Sequence, residues 1–190
     1  MPKTLVNLEK IADVRSGFTF REAIQPSPAG DVHILQIKDL TQGSRIEPDD
    51  LPTVVWEQNS PPPLLEPGEI IVAARGNRNI AVVYHGKAPV VATNQFLIIN
   101  IKTKAVLPEY LCWIINHPKI QQMFHRSGTN IQLVTKAALL KVELPMPPIE
   151  TQRNIIGLQQ VWEQEDQLIS QLQTNRQKLQ LGILQNLFKD

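Results

Sequence analysis

One cysteine, Cys112, among 190 residues rules out an internal disulfide and any multi-cysteine zinc site. No apolar run approaches the roughly 18 residues of a membrane span. With 19% charged residues and a net charge of +1, the chain reads as a soluble protein. Its start, MPKTLVNLEK, has no apolar stretch of signal-peptide length, which argues against export and makes the cytoplasm the expected compartment. Catalytic signatures are missing as well. There is no phosphate-binding glycine loop, no GxGxxG and no HExxH. Ser16, Ser44, Ser60, Ser127 and Ser170 lack a nucleophile-elbow context. His117 and His125, with Cys112 nearby, match no standard zinc spacing, so no metal site is expected. The pair Asp49-Asp50 with Glu57 invites a nuclease reading, but no lysine follows Glu57 at two residues and the segment is proline-rich.

Two further absences are local. All 15 prolines lie at or before Pro148, which leaves the last 42 residues free of the residue that most disrupts helices. Between Ile71 and Val142 there are nine bases and a single acid, Glu109, whereas Asp31 to Glu69 holds eight acids and two bases. A near-neutral chain with its charges sorted in this way can still present a basic face.

What is present suits one α+β domain with a helical appendage, and 42% hydrophobic residues are enough for a single core. LVNLEKIADVRSG places Leu5, Leu8, Ile11 and Ala12 at helical spacing and predicts a short helix ending at Gly17. Phe18-Thr19-Phe20 alternates as a strand does, and His33 to Leu40 also reads as a strand. Residues 41–68, with six prolines, are expected to be loop or extended surface structure, held down by Leu51, Val54, Val55 and Trp56. IIVAA and IAVVY, separated by Gly76-Asn77-Arg78-Asn79, form a hairpin pattern, and Val90-Val91 and FLIINI (96–101) continue a sheet. Helical periodicity follows Pro108 and Pro118, giving two short helices; Ala137 to Leu140 makes a turn and VELPMP a short strand. From Glu150 to Phe188 one helix of roughly 58 Å is expected. Leu158, Val161, Leu168, Leu172 and Leu179 fall on 3–4 spacing, continued by Ile183 and Leu187, on a surface otherwise rich in glutamine. A helix of that length with one apolar stripe needs a partner helix.

Three polar clusters lie in the basic stretch. Arg75, Asn77, Arg78 and Asn79 combine guanidinium forks with amides at a strand end, the groups that reach guanine, adenine and phosphate; the plainer reading is a hairpin tip, where Gly and Asn are favoured for backbone reasons. Asn94 and Gln95 precede FLIINI and pose the same choice. Thr129, Asn130 and Gln132 lie in a polar loop flanked by Arg126 and Lys136, suited either to gripping a nucleic acid or to solvation. Their shared position in a segment with one acid tips the balance towards nucleic acid.

The order of motifs completes the reading. IADVRSGFTF, HILQIKDL, PGEIIVAARGNRN, ATNQFLII, LPEYLCWIIN and SGTNIQLVTKAALLKVELPMPPIETQRNI together resemble the target-recognition unit of the DNA-specificity subunits of type I restriction-modification systems. The most specific part is the last, where Gly128, Lys136 to Leu140, the Leu144-Pro145-Met146-Pro147-Pro148 exit and Glu150, Gln152 and Ile155 open the long helix. The resemblance implies a target-recognition domain over 1–148, then a spacer and dimerisation helix over 149–190. It implies a subunit without chemistry or cofactor of its own. Methyltransferase subunits that methylate an adenine with S-adenosylmethionine would join it on double-stranded DNA. A restriction motor-nuclease subunit would bring ATP and magnesium chemistry. The usual subunit carries two such units in tandem; this chain shows one, which implies a half-subunit that forms an antiparallel helical homodimer on an inverted-repeat site. The rival reading is a protein-interaction adaptor, or inactive remnant, with the same fold and no DNA contacts.

Overall fold

The computed structural model describes residues 5–40, 46–75, 79–124 and 133–188. Its centre is an antiparallel sheet in the order β2 (Ala12–Ser16), β8 (Phe96–Ile101), β5 (Ile70–Ala73), β6 (Ala81–Val83). All four residues of β5 are buried because the strand is covered on both faces. Ile70 and Val72 face one core, shared with Leu97 and Ile99; Ile71 and Ala73 face another, shared with Phe96 and Ile98.

The first core is roofed by α1 (Pro108–Asn116), α2 (Pro118–Phe124) and α3 (Lys136–Leu140) through Leu111, Ile115, Phe124 and Leu139. Complete burial of Leu111 and Ile115 contributes roughly 1.5–3 kcal/mol each. Pro108 opens α1 and Glu109 lies in its first turn, where the free amides and the dipole favour them. At the other end, Asn116 caps the edge of the sheet: its Oδ1 accepts the Ala81 amide at 2.8 Å and its Nδ2 donates to the Ala81 carbonyl at 2.8 Å. The side chain thus substitutes for a neighbouring strand.

Over the second core lies a smaller sheet, β4 (Thr53–Val54), β3 (Val32–Leu35), β7 (Val90–Ala92), in which β3 and β7 run parallel. On its outer side Phe18, Phe20 and Trp56 pack against Val32, Ile34, Val54 and Val91. Finally, β1 (Leu5–Asn7) pairs with β9 (Glu143–Pro145), bringing the two ends of the globular domain together just before α4 (Ile149–Leu187).

The sequence-based expectations hold for the β5–β6 hairpin, for β8, for α1 and α2 and for the long helix. Four need correction. The helix expected from Leu5 is instead β1, a 3-10 turn over Leu8–Lys10, and β2. Leu8 and Ile11 satisfy a three-residue turn as readily as a helix, while Ala12 and Val14 are buried on alternate residues against β8. Phe18-Thr19-Phe20 makes only a single bridge, Phe18 to Thr93. The strand expected to Leu40 ends at Leu35, where Asp39 accepts the Gln36 amide at 2.9 Å and closes a 3-10 turn. Within the proline-rich stretch, Thr53–Val54 pairs with β3 as extended structure, but Val55, expected to help hold the stretch down, is exposed.

The exit into α4 is built into the core. Gln152 is completely buried: its Oε1 accepts the Leu107 amide at 2.9 Å, and its Nε2 donates to the carbonyls of Ala105 and Pro147, both at 2.9 Å. The Tyr110 hydroxyl donates to the Pro145 carbonyl at 2.9 Å, and Ile155 and Ile156 pack on the first core. The first turns of the helix therefore belong physically to the globular domain, and the remainder projects from it with Leu158, Val161, Leu168, Leu172, Leu179, Ile183 and Leu187 all exposed.

Candidate nucleic-acid interface

The end of β5 gathers segments that are far apart in sequence. The amide of Ala74 donates to the Gln95 carbonyl at 2.8 Å, and the carbonyl of Ala74 accepts the Val134 amide at 2.9 Å. Arg75, the turn holding Asn94 and Gln95, and the approach to Lys136 therefore leave from one junction. Arg75, Asn94 and Lys136 are exposed and Gln95 is half-buried. Lys136 opens α3, whose preceding residue Thr135 caps it by accepting the Ala138 amide at 3.1 Å. That cap fixes where Lys136 leaves the backbone.

A fourth segment joins them. Gly17 donates to the Phe96 carbonyl at 3.0 Å and Phe18 to the Ala92 carbonyl at 2.8 Å. A Cβ on Gly17 would collide with the carbonyls of Ala92 and Thr93, so only glycine permits this approach. Thr19 is carried to Asn94, whose Nδ2 donates to Thr19 Oγ1 at 3.2 Å. Phe18 stands 4.9 Å from both Phe20 and Trp56, centroid to centroid, and these rings brace the segment from below. Thr19 and the exposed Arg21 were not picked out from sequence; the pointer was FTF directly after a glycine.

The structure separates the expected contact residues. Asn79 is a correction: it is completely buried, its Nδ2 donates to the Ala73 carbonyl at 2.9 Å and its backbone carbonyl accepts from Gln121 Nε2 at 2.9 Å. It ties the loop to β5 and α2 and has no surface to offer a base. Asn77, Arg78, Thr129, Asn130 and Gln132 lie outside the described residues. The described residues Ala74 and Val134, which flank these segments in sequence, meet at the junction.

Arg15 is held by Glu69 at 2.9 Å and Lys102 by Asp13 at 2.9 Å. Among the described residues no carboxylate lies within ion-pair distance of Arg75, Arg21 or Lys136. Free guanidinium and ammonium groups beside amides and a hydroxyl are the donors that grip phosphate and read base edges. Elsewhere, no group of three potential metal ligands occurs among the described residues. Burial, with Glu109 and Glu163 adding to it, pushes the Cys112 thiol up to about 12, far from a nucleophile's range. No described helix is long and apolar enough to cross a membrane.

A mixed domain with a polar, basic edge drawn from four segments, carried on a projecting helix, defines a recognition module on a stalk. The chain belongs to the family of the type I restriction modification DNA specificity domain, whose model matches residues 3–179. No curated protein matches it. Among solved structures it resembles a chain from work on complex assembly and conformational transition of the type I R-M system, with a TM-score of 0.66 and 20% identity over 95% of this chain. It also resembles the HsdS subunit from Thermoanaerobacter tengcongensis, with a TM-score of 0.66 and 16% identity over 99% of this chain. The S subunit of a type I restriction-modification system from M. genitalium follows, with a TM-score of 0.56 and 14% identity over 93%. The chain spans 44%, 45% and 43% of the lengths of these three proteins.

Proposed function

We propose that this chain is the sequence-reading subunit of a type I restriction-modification complex. Its recognition domain grips one half of a two-part DNA site. A second copy, joined through α4, grips the other half of an inverted repeat. The observation that carries this reading is the Ala74 junction, which brings Arg75, Asn94, Gln95 and Lys136 to one edge with their cations unpaired. Binding there needs no chemistry from the chain. Adenine methylation with S-adenosylmethionine, and any cleavage, belong to methyltransferase and motor-nuclease subunits that the chain directs to the site.

Titration with duplex DNA across a salt series tests the reading. Affinity should fall steeply as salt rises, since each phosphate neutralised releases condensed counterions. Absence of binding at low salt would instead favour an adaptor that retains only protein partners.

A further inference from the structure

The exposed face of α4 carries more order than an amphipathic stripe requires. From Leu158 to Ile183 a seam can be followed at alternating steps of four and three residues, the heptad rhythm of a contact between two helices. Its apolar members are between 45% and 66% exposed, so this chain's own recognition unit does not cover them. Two charged residues interrupt the seam, Glu165 and Arg176, both exposed and, among the described residues, without an ion-pair partner in the chain.

The seam is symmetric about a point between Ser170 and Gln171. Counting outwards from there, Ile169 matches Leu172, Glu165 matches Arg176, Trp162 matches Leu179 and Leu158 matches Ile183. A second helix laid antiparallel about that point would therefore set apolar residues against apolar residues. It would also set each acid against a base, twice by symmetry. Displacing the pair by one heptad puts Glu165 against Ile169 or Ile183, and Arg176 against Leu158 or Leu172. A parallel, in-register pair sets Glu165 against Glu165. A charged seam position costs stability in every register except the one that pairs it, which is how such residues select a single alignment.

We infer that the occupant of this face is a second copy of the chain, antiparallel, with Glu165 of each copy facing Arg176 of the other. This rests on the paired reading above and adds the register to it. In that register the two Ile149 positions stand about 64 Å apart along the helix axis at about 1.5 Å per residue. The recognition domains then sit at opposite ends of a rod of defined length.

Charge reversal tests the register in the full chain. Glu165→Arg alone and Arg176→Glu alone should each weaken the homodimer at least about tenfold, because like charges then meet in both layers. Mixed one to one, these two variants should form heterodimers in preference to either homodimer, as read by native mass spectrometry. The double variant should regain the parent's dimer affinity yet fail to exchange with the parent. Both substitutions are at exposed helix positions, and circular dichroism would confirm that the helix is intact. A dimeric parent whose single variants dimerise equally well, with no preference on mixing, would overturn the register while leaving the pairing. A parent that stays monomeric at high concentration would overturn the pairing itself, and DNA binding by that monomer would show that the recognition reading stands apart from it.

Discussion

Val134 donates its amide to the carbonyl of Ala74 at 2.9 Å, joining two residues sixty positions apart. Through this bond, and the one from the Ala74 amide to the Gln95 carbonyl, the backbone beside Arg75, Asn94 and Lys136 meets at one corner of the sheet although these residues are scattered along the chain.

Arg75 and Lys136 should separate by role. Arg75→Ala is expected to cost roughly 1–3 kcal/mol on the preferred duplex and little on random DNA if the guanidinium reads a base. Lys136→Ala should weaken both duplexes alike and lower the salt slope by about one, as a phosphate contact does. Fluorescence titrations of both variants on both duplexes, over a salt series, distinguish these patterns.

Asn79→Ala should act on stability instead. Removing an amide that holds the Ala73 carbonyl in the interior is expected to cost about 1–3 kcal/mol. Denaturant unfolding would show the loss. If stability were unchanged and only DNA affinity fell, the side chain would have to face the ligand.

Gln152→Met removes three hydrogen bonds at the root of α4 while nearly conserving volume. Leaving the Leu107 amide and two carbonyls unsatisfied should cost about 2–4 kcal/mol and lower the thermal midpoint. In the parent, the Leu107 amide should exchange with solvent as slowly as the amides of β5; rapid exchange would mean that this clamp is open in solution.

Cys112 gives a pH signature. Its thiol is raised from 9.0 to about 12, so the folded state keeps the proton that the unfolded state releases between those values. This contribution is fully present below pH 9 and is lost as pH rises towards 12. Cys112→Ala should flatten that part of the stability curve relative to the parent, with Tyr110, itself raised to about 12 by burial, common to both. A thiol reagent applied to the native protein at pH 8 should react slowly, and rapidly after unfolding.

How much of this was legible beforehand follows from the range of the interactions. The β5–β6 hairpin, α1 and α2 are specified by neighbours: apolar runs around a short polar tip, and prolines at helix starts. The segment from Leu5 to Ser16 was misread because β1 and β2 exist only through pairing with β9 and β8, more than eighty residues away. No local pattern records those partners. Asn79 shows the same limit at the site, since a hairpin-tip asparagine looks the same in sequence whether it faces solvent or its own backbone. Thr19 was missed because its place beside Asn94 depends on the Phe18–Thr93 bridge. The exposed stripe of α4 was readable from spacing, whereas Trp162 and Ile169 join it only once the helix is seen to be uncovered.

Pairing through that stripe has its own check. Leu168→Glu together with Leu172→Glu should give monomers by light scattering, since buried carboxylates would replace apolar contact on both helices. A dimer that survived would place the interface elsewhere.

The most direct measurement of the central claim is a domain exchange in the reconstituted complex. Residues 14–146 would be replaced by the corresponding segment of another recognition domain, and methylated adenines mapped across a genome-scale DNA substrate with the cognate modification subunit present. The account predicts that the complex still assembles and that the methylated sequence changes to that of the donor domain. Methylation that stayed at the original sequence would place recognition in the partner and contradict the assignment of DNA reading to this chain.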